Sequence, residues 1–187
     1  MKKITASATF FAVSLYIALI PSIISSQQPA PWEVYFSPKG GCTDAIIKEL
    51  NKAKSTVLVQ AYSFTSAPIA KALLNAHKRG IKVEVILDKS QVTQKYSSAT
   101  FFFNEGIPVR IDAKHAIAHN KVMIIDGETV ITGSFNFTKA AEESNAENLL
   151  VIHDKKLAER YARNWQEHDR HSEGHVGRER LNVANWI

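Results

Sequence analysis

The chain has 187 residues, of which 45% are hydrophobic and 22% charged, the proportions of an ordinary folded domain. They exclude a disordered chain, a collagen-like repeat and a polytopic membrane protein, and the length admits one domain with appendages. With 23 Lys and Arg against 18 Asp and Glu, the formal charge is +5, which permits a polyanionic partner without requiring one.

The first 26 residues read as a secretory signal. Lys2 and Lys3 precede an uncharged, mostly apolar run from Ile4 to Ile20, which Pro21 breaks before Ser22, Ser25 and Ser26. A run of about 17 residues is short for a membrane span, and no basic stop-transfer cluster follows it. Cleavage near Ser25 or Ser26 is expected. It would leave a chain of formal charge +3, working in the periplasm or outside the cell with no stable membrane anchor. Residues 27–31 form a Pro/Gln linker, 32–168 the folded domain and 169–187 a polar tail. The lone Cys42 allows no intrachain disulfide; it is expected to be a small buried side chain, with an interchain disulfide as the sharper option.

Within the domain the hydrophobic period alternates. Glu33 to Phe36 is a short strand candidate. Ile46, Ile47 and Leu50 recur at helical spacing over 43–53, with Thr43 or Asp44 as the cap. A β-branched strand is predicted over 56–62, and a helix over 66–79 that ends at Gly80. A strand over 82–87, a helix over 91–104 and a strand over 108–111 follow. Two apolar strands, 122–125 and 129–132, flank Asp126 and Gly127, a strong hairpin signal. Then come a strand over 149–153 and a helix over 155–168 with Leu157, Tyr161 and Trp165 on one stripe. This order predicts an α/β domain, a mixed β-sheet flanked by helices. No Gly-rich phosphate loop is present, so an NTP-dependent reaction has no support.

The chemistry concentrates in residues 119–136. His119 and Lys121 are two apart at the mouth of a strand and leave the same face. Ser134 and Asn136, also two apart, follow the returning strand. The hairpin register can bring all four to one end of the sheet. Lys and Asn donate hydrogen bonds, Ser donates or accepts, and His serves as nucleophile, acid or base near neutral pH. No carboxylate pair stands there to hold Mg²⁺. Such a set suits an anion that gains negative charge in its transition state, and a phosphodiester is the natural candidate.

His119, Lys121, Asp126, Gly133, Ser134 and Asn136 fill every fixed place of the pattern H-x-K-x4-D-x6-G-S-x-N. The chain thereby resembles the phospholipase D superfamily, and its small size, export signal and single motif are similar to those of the small bacterial EDTA-resistant endonucleases within it. The resemblance spans 32–165. It implies a phospholipase D-like single-motif domain in which one His forms a covalent phosphohistidine and a second protonates the leaving oxygen. Lys and Asn hold the nonbridging oxygens, and an acidic residue, here Glu147, hydrogen-bonds the catalytic His. No cofactor or metal is implied. No second motif exists in this chain, so the inference is a symmetric homodimer with one composite site. Asp126, before a turn glycine, is read as mainly structural despite its place in the motif.

The leading expectation is therefore a non-specific, metal-independent endonuclease acting on DNA, with RNA as a secondary substrate. A phospholipid hydrolase or transphosphatidylase is one rival; it would want an exposed apolar loop or a retained anchor, and the sequence after residue 31 signals neither. A non-catalytic nucleic-acid-binding protein is another, and a toxin-type nuclease a third. Ser63, at a predicted strand end where ligands often sit, is a weaker substrate-binding candidate. His115 is read as a plain loop residue, and Arg110 and Lys139 as solvated charges. His168, Asp169, His171, Glu173 and His175 are metal-ligating types, but the glycines and polar residues around them indicate a solvated tail.

Overall fold

The computed structural model describes residues 31–93 and 98–175. The secretory signal, the linker before Pro31 and the tail beyond His175 lie outside the described residues. In chain order the elements are β1 (Trp32–Ser37), α1 (Cys42–Lys52), β2 (Thr56–Ala61), α2 (Ala67–Lys78), β3 (Lys82–Asp88), α3 (Ser90–Thr93), α4 (Ser98–Asn104), β4 (Val109–Asp112), β5 (Lys121–Ile125), β6 (Thr129–Gly133), α5 (Lys139–Glu143), β7 (Glu147–His153), α6 (Lys155–His171) and β8 (Glu173–Gly174). One eight-stranded sheet runs in the order β1-β7-β6-β5-β2-β3-β4-β8. Strands β2, β3 and β4 pair in parallel and the other pairs are antiparallel, giving the mixed sheet that the alternation predicts.

Helices cover both faces of that sheet, which is why β5 is apolar at every position after Lys121 rather than alternating. Met123 and Ile125 enter a core with Ile46 and Leu50 of α1, Ile69 and Leu73 of α2 and Phe102 of α4. Val122 and Ile124 point the other way, onto Ala158 and Trp165 of α6. The Trp165 indole N–H donates to Val59 O at 2.9 Å, so the largest side chain of that layer also satisfies its one polar atom. Cys42 is fully buried and burial pushes its thiol pKa up to about 11; it is packing, not a surface bridge between chains.

The hairpin forms where Asp126 and Gly127 stand, both at positive φ (56° and 66°), conformations that Gly adopts freely and Asp tolerates. The Asp126 carboxylate accepts from the backbone N–H of Lys54 (2.9 Å), Ser55 (2.8 Å) and Thr56 (3.0 Å) and from Ser55 Oγ (2.9 Å). It thus ties the turn to the start of β2. Its partial burial works to raise its pKa, but these donors outweigh that and hold it below the usual carboxylate value. Asp126→Ala leaves the donors without their acceptor and should destabilise the fold by about 2–3 kcal/mol. Because the folded pKa is the lower one, that stabilisation is present above the unfolded value of about 3.9 and fades as pH falls through the folded one. Urea titrations of both proteins at neutral and acidic pH should show the gap narrowing in acid.

Two local expectations change, while of the helix predicted over 91–104 the described residues 91–93 and 98–104 are helical, in α3 and α4, and 94–97 lie outside them. α1 has no side-chain cap of its own. Instead Glu142, from the unpredicted α5, accepts from the N–H of Gly41 (3.1 Å) and Thr43 (2.7 Å), a cap supplied by a distant residue and so invisible to local sequence reading. The polar tail begins later than 169: α6 runs to His171, β8 pairs with β4, and Ser172 and His175 are buried. Arg110, expected to be solvated, holds this segment through Asp169 (2.9 Å) and the Ser172 carbonyl (2.5 Å).

Candidate active site

The C-terminal end of β2, the entrance of β5, the exit of β6 and the entrance of β7 meet at one end of the sheet. Ala61 pairs with Lys121, Val122 with Thr132 and Gly133 with Leu149, and Glu147 opens β7 opposite Ser37. His119, Lys121, Ser134, Asn136 and Glu147 therefore gather there, and Ser63 stands on the same rim, half-buried. Asp126 does not: it closes the opposite end of β5, about 3.3 Å per residue away from Lys121. Although it fills a fixed place of the motif, its contacts are those of the turn anchor described above.

His119 is exposed and its ring packs on Tyr62, with centroids 4.6 Å apart at 53°. The loop before it is fixed by the buried Asp88, which accepts from Ala118 N–H at 2.7 Å and from Ser90 N–H at 2.9 Å. Lys121, 6% exposed, donates from Nζ to the His119 carbonyl at 2.8 Å and lies 5.1 Å from the centre of the Tyr62 ring. Burial pushes the Lys121 pKa below the usual lysine value, and the negative charge of Glu147 partly opposes this. The site thus holds a poorly solvated ammonium, which an incoming anion would relieve.

Gly133 is required where β6 ends. Its φ is +149°, and a Cβ there would come within 2.3 Å of Asn148 O. The close approach lets the Ser134 and Phe135 N–H groups donate to that carbonyl, both at 3.1 Å. Ser134 Oγ accepts from Asn148 N (3.1 Å) and Nδ2 (3.3 Å), leaving the hydroxyl proton to donate outward. Asn136 follows, its Oδ1 buried with no hydrogen-bond partner among the described residues. Rotating the amide by half a turn sets the NH₂ group in that place, a donor with no acceptor among the described residues. Glu147 departs from the expected role. Its carboxylate accepts from Asn145 Nδ2 at 3.2 Å, and no hydrogen bond joins it to His119 among the described residues.

Tyr62 and Asp88 were not anticipated. The strand-end signal pointed at Ser63, one residue beyond the aromatic ring that His119 rests on. Asp88 reaches the loop from β3, a contact made only by the tertiary fold.

Residues 46–168 match the family model described as cardiolipin synthase, PLD-like domain. The chain is 48% identical over 130 residues to the phospholipase D of Rickettsia typhi, covering 70% of this chain and 64% of that protein. It is 32% identical over 124 residues to the mitochondrial cardiolipin hydrolase of Xenopus tropicalis, covering 64% and 59%. It thus spans about half to two thirds of the length of the curated relatives it matches, 48% to 65%. Among solved structures it is similar to Nuc, a phospholipase D family member from Salmonella typhimurium, at 40% identity and a TM-score of 0.75, covering 78% of this chain and 98% of Nuc.

Proposed function

Because the chain belongs to the phospholipase D superfamily, we propose that it is a metal-independent phosphodiesterase, an endonuclease of low sequence preference that hydrolyses DNA or RNA at a site shared by two copies of the chain. The observation that carries this reading is the set at one sheet end: an exposed His119 ring on Tyr62, a buried Lys121 ammonium and an unengaged Asn136 amide. Those are a nucleophile and two phosphate donors, and each chain has one set.

In the proposed reaction a His119 imidazole nitrogen attacks phosphorus. The bond to the leaving alcohol breaks, and that oxygen takes a proton from the imidazolium of the second copy's His119. The second imidazole, now neutral, removes a proton from water. The hydroxide attacks phosphorus, the P–N bond breaks, and the phosphomonoester leaves with both rings restored. Lys121, Asn136 and Ser134 donate to the nonbridging oxygens as charge builds there. An exposed rim with no base-reading module among the described residues fits contacts to phosphate rather than to bases. The second copy has a surface to use: Trp32, Val34 and Phe36, 53%, 41% and 64% exposed, alternate along the edge strand β1, whose last residue Ser37 pairs with Glu147 at the site. The export-signal pattern of residues 1–26, which lie outside the described residues, supports a periplasmic or secreted location as part of this reading.

One observation favours a second reading. Ile117, two residues before His119, is 56% exposed, an exposed apolar position beside the site that sequence reading did not foresee. With relatives named phospholipase D and cardiolipin hydrolase, it supports phospholipid hydrolysis at a bilayer surface. The test is the initial rate of plasmid cleavage in excess EDTA beside turnover of phosphatidylcholine and cardiolipin vesicles. Undiminished plasmid cleavage with intact lipid is expected. Lipid turnover with intact DNA would replace the leading reading with the second, and a rate abolished at once by EDTA would contradict metal independence.

A further inference from the structure

Away from His119, at the far rim of the sheet, three imidazoles surround one buried carboxylate. Asp112, the last residue of β4, is 0% exposed. Its Oδ2 lies 3.1 Å from His115 Nδ1, 2.6 Å from His168 Nδ1 and 3.3 Å from His171 Nε2. His168 and His171 are three apart on α6 and so share a face of that helix, and the three rings stand 4.9 to 5.2 Å apart, centre to centre. We propose that Asp112, His115, His168 and His171 form a zinc site that clamps the end of α6 to β4 and to the root of the loop carrying His119.

Hydrogen bonding alone leaves this cluster incomplete. Three ring nitrogens converge on Asp112 Oδ2, which has two lone pairs to offer; His115 Nδ1 also lies 3.2 Å from Oδ1, which accepts from Lys114 N–H at 3.1 Å. The third, His171 Nε2, is buried and makes no hydrogen bond despite its proximity. If all three rings were protonated, three cations would crowd one anion. A divalent ion resolves both problems, since it takes one lone pair from each neutral imidazole and one from the carboxylate. All four ligand atoms lie within 4.8 Å of one another. A tetrahedral zinc ion with arms of about 2.0–2.1 Å spaces its ligand atoms about 3.3–3.4 Å apart. The His115 and His171 contacts are near that spacing already, and the His168 contact need open by only about 0.7 Å. Three nitrogens and one oxygen fit a borderline d-block cation rather than Mg²⁺ or Ca²⁺, which prefer all-oxygen shells. A surface cleft lined by Lys114, His115, Asn164, Glu167, His168 and His171 provides the entry.

The role is structural. Four protein ligands close a tetrahedral shell and leave no position for substrate. What the ion would hold is the start of segment 113–120, whose other fixed points are Lys89 Nζ on the His115 carbonyl at 3.0 Å and Asp88 on Ala118 N–H. The sequence marks His168 and His171 as metal-ligating types but not their partners, because Asp112 and His115 lie more than fifty positions from His168 and the fold alone joins them.

The test is a Zn²⁺ titration of the purified, chelator-stripped protein by calorimetry, with Co²⁺ as a spectroscopic stand-in. One Zn²⁺ per chain, the intense visible absorption of tetrahedral Co²⁺ and a melting temperature that rises with Zn²⁺ are expected. His171→Ala should weaken binding by more than about 100-fold. His115→Gln, at a side chain 42% exposed, is expected to fold normally and gives a second measure should His171→Ala not fold. No Zn²⁺ uptake by the parent protein, or uptake equally tight in His115→Gln, would overturn the proposal. None of these readouts involves cleavage, so the result stands apart from the proposed nuclease activity.

Discussion

His119→Ala is expected to lower phosphodiester turnover by at least about 10⁴-fold, because in the proposed composite site it removes the nucleophile from one half and the proton donor from the other. The same substitution should leave stability within about 0.5 kcal/mol, since the ring is exposed and truncating a surface side chain rarely does more. Single-turnover reactions quenched in base should trap phosphate on the parent histidine and none on the variant. A variant that keeps even a hundredth of the activity would exclude His119 as nucleophile. In the proposed two-copy site one His119 must be neutral and the other protonated when substrate binds. Activity should therefore be bell-shaped in pH, with limbs belonging to the pair rather than to one ring.

The second large effect is at Lys121. Lys121→Met should reduce activity by about 10²–10³-fold, the range for removing one preorganised donor from a developing oxyanion. Its effect on stability should have the opposite sense to that of Asp126→Ala. Burial lowers the Lys121 pKa in the folded protein, so the charged form is less favourable there than in the unfolded chain. That penalty is present at pH values below the folded pKa and is relieved as pH rises through it. An apolar side chain of similar length removes it, and the melting temperature at neutral pH should hold or rise. Parallel melting and cleavage assays check both halves; a sharp fall in melting temperature would make Lys121 a structural residue whose loss of activity is secondary.

The contrast between these residues explains how much of the molecule its sequence discloses. The strands and long helices are legible because β-branched runs and the Ile46–Leu50 and Leu157–Trp165 stripes reflect burial directly. The hairpin is legible because Asp126 and Gly127 suit its backbone. His119, Lys121, Ser134 and Asn136 are legible as a group because one short hairpin brings them together, and sequence distance approximates spatial distance there. What stays hidden is carried by contacts between remote segments: Glu142 capping α1, Asp88 holding Ala118, Tyr62 beneath His119, and Asp112 among three histidines. The solvated-tail expectation failed for the same reason. His168 and His171 read as part of a solvated tail until β4 is placed against them.

The most direct measurement of the shared site is a subunit-mixing experiment. Parent protein is combined with increasing His119→Ala chain, the subunits are allowed to exchange, and cleavage is followed at constant total protein. If each working site needs a His119 from both copies, only parent–parent pairs cut, and an equal mixture should retain about a quarter of the parent rate. A rate that falls in simple proportion, to about half at equal mixing, would mean that each chain cuts with its own histidine alone, and the two-copy site would be wrong.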